Sequence, residues 1–385
     1  MPLANQRSKF ALARDHTFLN CAYMSPLLKT VEQAGLAGIR LKRNPGYMNA
    51  RDFFDTTDRV RAVFGKLIHA PAQQIAMIPS VSYGMAVVTK NLSIRKDQHI
   101  MVADGQFPSN VYPWLRVQAD TGARVRIIDP PHTREHRGRQ WNARILESIN
   151  HQTRLVALGN IHWADGTWFD LQAIRQRTRE VGAWLVIDGT QSVGALPLDV
   201  RAIQPEALIC AGYKWLLGPY AMGMAYYAPA LNHGTPVEEN WINRLHSEDF
   251  TGLVNYQPEY QPGALRYDVG ERSNFVLTPM MLAALKQVLA WKPSAIQQYC
   301  QHITQQEVVR LRQHGFWVEE EAWRAHHLFG IRLPADIPLE KARKKLAREK
   351  ISVSFRGDAI RVSPHVYNTT RDIKNLGDAL LELTR

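Results

Sequence analysis

From residue 75 onward, short unbroken apolar runs alternate with stretches whose apolar residues recur every three to four positions. The runs at 75–78, 99–103, 123–128, 154–160, 183–188, 207–211 and 222–227 predict strands. The stretches at 82–92, 109–121, 141–150 and 170–181 predict amphipathic helices. Strands that are apolar throughout must be buried on both faces. The pattern therefore predicts an α/β fold with a mainly parallel, seven-stranded-type sheet covered by helices on both sides. An amino-terminal arm (1–20) comes first, and helical periodicity then runs to about His69.

Residues 230–275 lose periodicity and are rich in Pro, Gly and Asn, which predicts a bridging loop region. Beyond it, a helical stretch at 279–315, strands near 326–333, 351–355 and 359–363, and helices near 338–349 and 370–383 predict a smaller α+β unit. At 385 residues the chain exceeds what one core usually serves, so we expect a large domain at 21–255 and a small carboxy-terminal domain at 256–385.

Composition narrows the function classes. No apolar run reaches the ~18 residues of a membrane helix, and MPLANQRSKFALARDH has no signal-peptide core, so a cytoplasmic location and no membrane partner are expected. Cys21, Cys210 and Cys300 show neither metal spacing nor a disulfide framework. The 47 basic against 35 acidic residues give a net charge of +12, but the basic residues are spread over solvated runs such as TREHRGRQ and KARKKLAREK. No nucleic-acid motif accompanies them, so nucleic acid is not an expected partner.

Chemistry enters with Asp188, the last residue of the run AWLVID, and Lys214, which follows it by 26 residues in ICAGYKWLLGP. Pyridoxal phosphate (PLP) needs a lysine to form a Schiff base and a carboxylate to keep its ring nitrogen protonated. A partly desolvated lysine has a lowered pKa, and it can later act as the base at the substrate α-carbon. Taken singly, Asp188 reads as a turn residue and Lys214 as a surface lysine. A phosphate cradle is predicted in IAMIPSVSYGMAVVTKNL, where Ser80, Val81 and Ser82 stand between a strand and a helix N-terminus. An ordinary Ser N-cap is the plainer reading of that turn.

The stretch from Trp184 to Gly223 resembles the signature of the class V aminotransferase family of fold type I PLP enzymes, which includes cysteine desulfurases, kynureninases and isopenicillin N epimerase-like proteins. The resemblance covers nearly the whole chain. It implies that Asp188 binds the pyridine nitrogen, that Gln191 lies near the ring hydroxyl and the Schiff base, and that Thr190 packs on one ring face. It further implies that the Tyr213 hydroxyl reaches the phosphate and that Phe107, in the F-P-S element, stacks on the ring face opposite Lys214. His162 matches a position that contacts the ring hydroxyl or substrate, although a core histidine is an equal reading. Tyr23 matches the opening segment that approaches the substrate. Arg361, in DAIRVSPHVYNTT with Tyr367 and Asn368 at family spacing, matches the bidentate clamp on the substrate α-carboxylate.

GERSNFVLTP matches the place where fold type I enzymes send a loop to the partner subunit's phosphate, with Ser273 or Arg272 as the contact and a homodimer as the consequence. The activity implied is that of a class V aminotransferase acting on an amino acid or amine. A C–S or C–C lyase, an amino-acid epimerase and a non-catalytic PLP-binding protein are the alternatives. The segment SVSFRGDAIR, where desulfurases carry their nucleophilic thiol, has no cysteine.

Overall fold

The structure, a computed structural model, describes residues 3–384. Its first strand is β1 (Thr17–Phe18), followed by helices α1 (Lys29–Leu41) and α2 (Asp55–Ile68). The central sheet is formed by β2 (Ile75–Ile78), β3 (His99–Ala103), β4 (Arg124–Ile128), β5 (Thr153–Gly159), β6 (Trp184–Asp188), β7 (Ala207–Ala211) and β8 (Gly223–Tyr227). Helix α3 (Val81–Asn91) leaves the end of β2. The strand order is β2-β8-β7-β6-β5-β3-β4; β8 runs antiparallel to both neighbours and the remaining pairs are parallel. This is the mainly parallel seven-stranded sheet the pattern predicts.

Strand periodicity explains why these runs are apolar throughout. Met101, Val156, Leu185, Ile187 and Leu208 enter one buried cluster, while their neighbours Ile100, Val102, Leu155, Val186 and Ile209 enter another on the opposite face. Helix Leu277–Trp291 packs with α1 and α2 on the large sheet's side of the molecule. A third core gathers Phe329, Leu346, Ile360 and Leu380 with Leu19 from the amino-terminal arm. It lies against a four-stranded sheet of β9 (Trp317–Val318), β10 (Phe329–Arg332), β12 (Ser354–Arg356) and β13 (Ala359–Val362), while β11 (Ile351–Ser352) pairs with β1.

Three differences from the sequence pattern are the clearest. The helical stretch at 279–315 is two helices, Leu277–Trp291 and Pro293–Gln313. Pro293 has no N–H to give, and Lys292 turns the chain with φ +69°. The strand read at 351–355 is broken into β11 and β12, which join different sheets. Helix Arg137–Ser148 starts four residues before the 141 read from periodicity, because Arg137 is not a solvated loop residue but a buried partner of Asp165. The 230–275 segment holds only short 3-10 turns, as its composition predicts.

Candidate active site

The carboxyl ends of the parallel strands bring Asp188, Thr190, Gln191, Tyr213, Lys214, Ser80, Val81, Ser82 and Phe107 around one cavity of about 340 Å³. That is the crevice where open α/β sheets bind ligands, and its size falls in the ~300–1,000 Å³ range of small-molecule sites.

Asp188 ends β6 because its side chain caps the 3-10 turn that follows, with Oδ1 accepting from Thr190 N at 3.0 Å. Oδ2 accepts no hydrogen bond from the described residues, and with Asp188 half-buried that oxygen is open to a ligand. Burial raises the Asp188 carboxyl above its ordinary range, against the Thr190 hydrogen bond and the charge of Lys214. Thr190 also ties the neighbouring strand, its Oγ1 accepting from Ala211 N at 3.1 Å. Gln191 is held at both ends of its amide: Nε2 donates to Ala22 O at 3.2 Å, and Oε1 accepts from Trp215 Nε1 at 2.9 Å.

Lys214 sits on a loop closed by two backbone bonds, Gly212 N to Met222 O (2.8 Å) and Gly218 N to Gly212 O (2.9 Å). Gly212 is required there, since a Cβ would lie 2.5 Å from Met222 O. Leu217 and Ala221 hold left-handed backbone at φ +56° and +61°, strain of the kind that collects at functional loops. The Lys214 amine is pushed down to about 8, first by burial and then by the charge of Arg361, with Asp188 opposing. Its Nζ lies 5.3 Å from the Phe107 ring centroid and 5.6 Å from that of Tyr213.

At the other end of the cavity α3 begins. Ser80 Oγ accepts from Tyr83 N at 3.2 Å and lies 2.9 Å from Ser82 Oγ. The N–H groups of Val81 and Ser82 have no backbone or side-chain acceptor among the described residues, so the ordinary cap and the anion cradle coexist.

Other expected site residues lie elsewhere. His162 does not line the cavity; its Nε2 meets Asp104 O at 3.0 Å, its Nδ1 meets Asp165 Oδ1 at 3.3 Å, and its ring packs on Trp141. Trp163 lines it instead, edge-on to Phe107 with centroids 5.3 Å apart. The chain turns over Trp163–Asp165, with Gly166 N bonded to His162 O at 2.9 Å, and which neighbour faces the cavity is set by that turn, which the sequence alone does not register. Arg272 pairs with Asp268 at 2.6 Å and is buried, and the Ser273 hydroxyl donates to Phe53 O, so neither reaches the cavity of its own chain. Tyr23 is exposed, near enough to Arg356 and Tyr213 to act on their ionisation. Arg361 is buried beside Trp163, its Nη1 donating to Trp163 O at 2.8 Å. Ser109, the last residue of the F-P-S element, lines the cavity too, as do Tyr220 and Met222, and none of the three is given a role by the sequence pattern.

The donor set suits pyridoxal phosphate: an amine of lowered pKa, a half-buried carboxylate with a free oxygen, an aromatic ring beside the amine, and unpaired N–H groups at a helix N-terminus.

Known proteins resemble the chain along its length. The uncharacterized aminotransferase YcbU of Bacillus subtilis is 24% identical over 379 residues, 98% of this chain and 97% of that protein. A probable cysteine desulfurase of Methanothermobacter thermautotrophicus is 29% identical over 224 residues, 57% of this chain and 55% of its own. Among solved structures, a mutant of the cystine C-S lyase C-DES with glycine covalently linked to the PLP cofactor superposes with a TM-score of 0.83 at 19% identity, covering 98% of this chain and 99% of its own. The fold is thus that of the fold type I PLP enzymes. The family model described as "Aminotransferase class-V" matches residues 43–376, and the chain belongs to that family.

Proposed function

We propose that this protein is a pyridoxal phosphate-dependent enzyme that opens its reaction at the α-carbon of an amino acid and completes it as an aminotransferase. The observation that carries this is one cavity with Lys214, its amine lowered to about 8, and Asp188, half-buried with one oxygen free, at one end and the bare N–H groups of α3 at the other. Bound there, the cofactor supplies an electron-accepting ring that makes an α-hydrogen labile.

The chain's own groups divide the remaining work. Lys214 is the Schiff-base lysine; freed from that link, its Nζ holds and returns the proton at the substrate α-carbon. Asp188 would hold the ring nitrogen in its protonated form. Val81 and Ser82 N–H groups and the Ser80 and Ser82 hydroxyls hold the phosphate, with the Tyr213 hydroxyl beside them. Phe107 and Trp163 exclude water from the ring, and Arg361 takes the α-carboxylate. A desulfurase route through the chain's own thiol is disfavoured. All three cysteines are buried, and burial pushes the Cys21 thiol up to about 12 and Cys210 well above its ordinary value.

The working unit is a homodimer in the cytoplasm. Supporting the dimer are the exposed Tyr47, Val254 and Tyr256 and an open cavity of about 840 Å³ in the 239–258 segment, surfaces a second copy would cover. Among the described residues no helix is long and apolar enough to cross a membrane.

The test is borohydride reduction of the yellow holoprotein followed by peptide mapping, with sedimentation on the same sample. The expected label is on Lys214 and is lost in Lys214→Ala, on a particle of two chains. A label on a different lysine removes the site assignment. A monomer at micromolar concentration removes the dimer.

A further inference from the structure

Two guanidinium groups lie against Trp163, a residue that lines the cavity, and the reading above uses one of them. Of the residues lining it, Asp188 is the only carboxylate. Lys214 lines the cavity with it, and Arg361 and a third cation, Arg356 at the last position of β12, stand outside the lining behind Trp163. Both guanidinium groups lie against the same Trp163 ring, Arg356 Cζ at 5.2 Å and Arg361 Cζ at 5.8 Å from its centroid. Both charges also bear on the Lys214 amine.

Neither arginine has a carboxylate partner among the described residues, and this is unusual within this fold. Of the other buried arginines, Arg61, Arg137, Arg272 and Arg332 hold one, and Arg324 alone among the described residues does not. The carboxylate closest to Arg356 in sequence, Asp358, faces away and is taken by Arg332 Nε at 2.8 Å. Arg361 donates Nη1 to Trp163 O and Nη2 to Ser354 Oγ at 3.3 Å, and its buried Nε has no acceptor. Arg356 is half-buried; Nη1 donates to Phe355 O at 2.8 Å, while its Nε is also buried without an acceptor. Removing a guanidinium from water with no counter-charge is costly, so the arrangement fits a site whose anions arrive with the ligand.

The charges can be assigned one by one if the reading above holds, on which this step rests. Cofactor phosphate meets the α3 N-terminus, the cofactor ring nitrogen meets Asp188, and a substrate α-carboxylate meets Arg361. Arg356 is left over. We propose that the substrate is an amino acid with a second anionic group on its side chain, and that Arg356 is the specificity-determining residue that binds that group across Trp163 from Arg361. Carboxylate and sulfinate side chains share this chemistry.

The experiment titrates the holoenzyme with L-aspartate, L-glutamate and L-cysteine sulfinate, and with L-alanine, L-asparagine and L-glutamine, reading the dissociation constant from the change in the cofactor's visible absorbance. At least one of the acidic amino acids is expected to bind about tenfold or more tightly than every neutral one, the scale of one charge-assisted hydrogen bond. The carboxylates and the sulfinate, compared with each other, identify the source of the anion. In Arg356→Gln the acidic-over-neutral ratio should fall about tenfold or more, and Arg356→Lys should restore part of it. Calorimetry with succinate against propionate repeats the comparison without turnover. Neutral amino acids binding as tightly as acidic ones in the wild type overturn the proposal while leaving the cofactor reading intact. So does an Arg356→Gln variant that loses acidic and neutral ligands alike, since Arg356 would then share the α-carboxylate. If no amino acid perturbs the spectrum, the function reading falls and this inference with it.

Discussion

A buried lysine whose amine sits near 8 is a burden on the empty fold at neutral pH. Lys214 is charged there in the unfolded chain and must be buried, charged or stripped of its proton, in the native one. Its folded pKa is lowered from 10.5 to about 8, a difference on the order of 3 kcal/mol. The unfolded chain holds the proton up to the higher value, so the native state gains stability as pH rises from about 8 towards 10.5, and below 8 the full penalty applies. Cofactor-free Lys214→Met should therefore be about 2–4 kcal/mol more stable than cofactor-free wild type at pH 7, with the gap closing towards pH 10. Urea unfolding of both apo-proteins at the two pH values measures it; a gap independent of pH means burial of charge is not its source. Residues of this kind were legible in the sequence because their neighbours carry the signal: Asp188 ends an apolar run and Ser80 starts a helix. His162 and Trp163 were not, because which of two adjacent side chains faces the cavity depends on the bridge between Ile161 and Trp168.

Helix α3 shows how an element is placed as well as formed. Its capping turn fixes where the helix starts, but its distance from the sheet depends on Gly84. A Cβ there would lie 2.8 Å from Ile209 Cγ2 and 3.0 Å from Ile78 Cδ1. Tyr227 in β8 holds the same turn, its hydroxyl donating to Gly84 O at 3.0 Å. Gly84→Ala gains helix propensity yet must push α3 outward, so a net loss of about 1–3 kcal/mol is expected from overpacking. Because the same shift moves the Val81 and Ser82 N–H groups, the variant should also release cofactor more readily on dialysis. Wild-type retention with lowered thermal stability would separate packing from the phosphate cradle. The helix itself was readable from apolar spacing, whereas the close approach of Gly84 to β7 was not, since Ile209 is 125 positions away. The same limit explains the helix from Arg137, whose charge looks solvated until Asp165 is folded against it.

At the scale of the whole molecule, Asp165 is the residue through which the central sheet and the carboxy-terminal sheet communicate. It leaves the β5 side on a loop, and its carboxylate meets Arg137 and Arg332 at 3.0 Å each, His162 at 3.3 Å and the Thr167 hydroxyl at 2.9 Å. Arg332 belongs to β10, and Gly330 of that strand donates its N–H to Asp165 O at 2.8 Å. Burial pushes the Asp165 carboxyl up, but His162, Arg137 and Arg332 together hold it well below its ordinary range. A lowered carboxyl pKa contributes stability that is fully present above the unfolded value near 3.8 and is lost only as pH falls below it. Asp165→Ala leaves Arg137 buried with no carboxylate and removes one of the two that hold Arg332, a change expected to cost about 3–5 kcal/mol. Arg332 keeps only Asp358 at its exposed side, so the damage should fall on the carboxy-terminal core. Native-state hydrogen exchange is expected to show amides of β10 and β13 losing protection while those of Leu185 and Ile187 in β6 keep theirs. Equal losses in both sheets would mean that the two cores open as one unit, and that the 162–167 loop is part of a single scaffold instead of the joint between two.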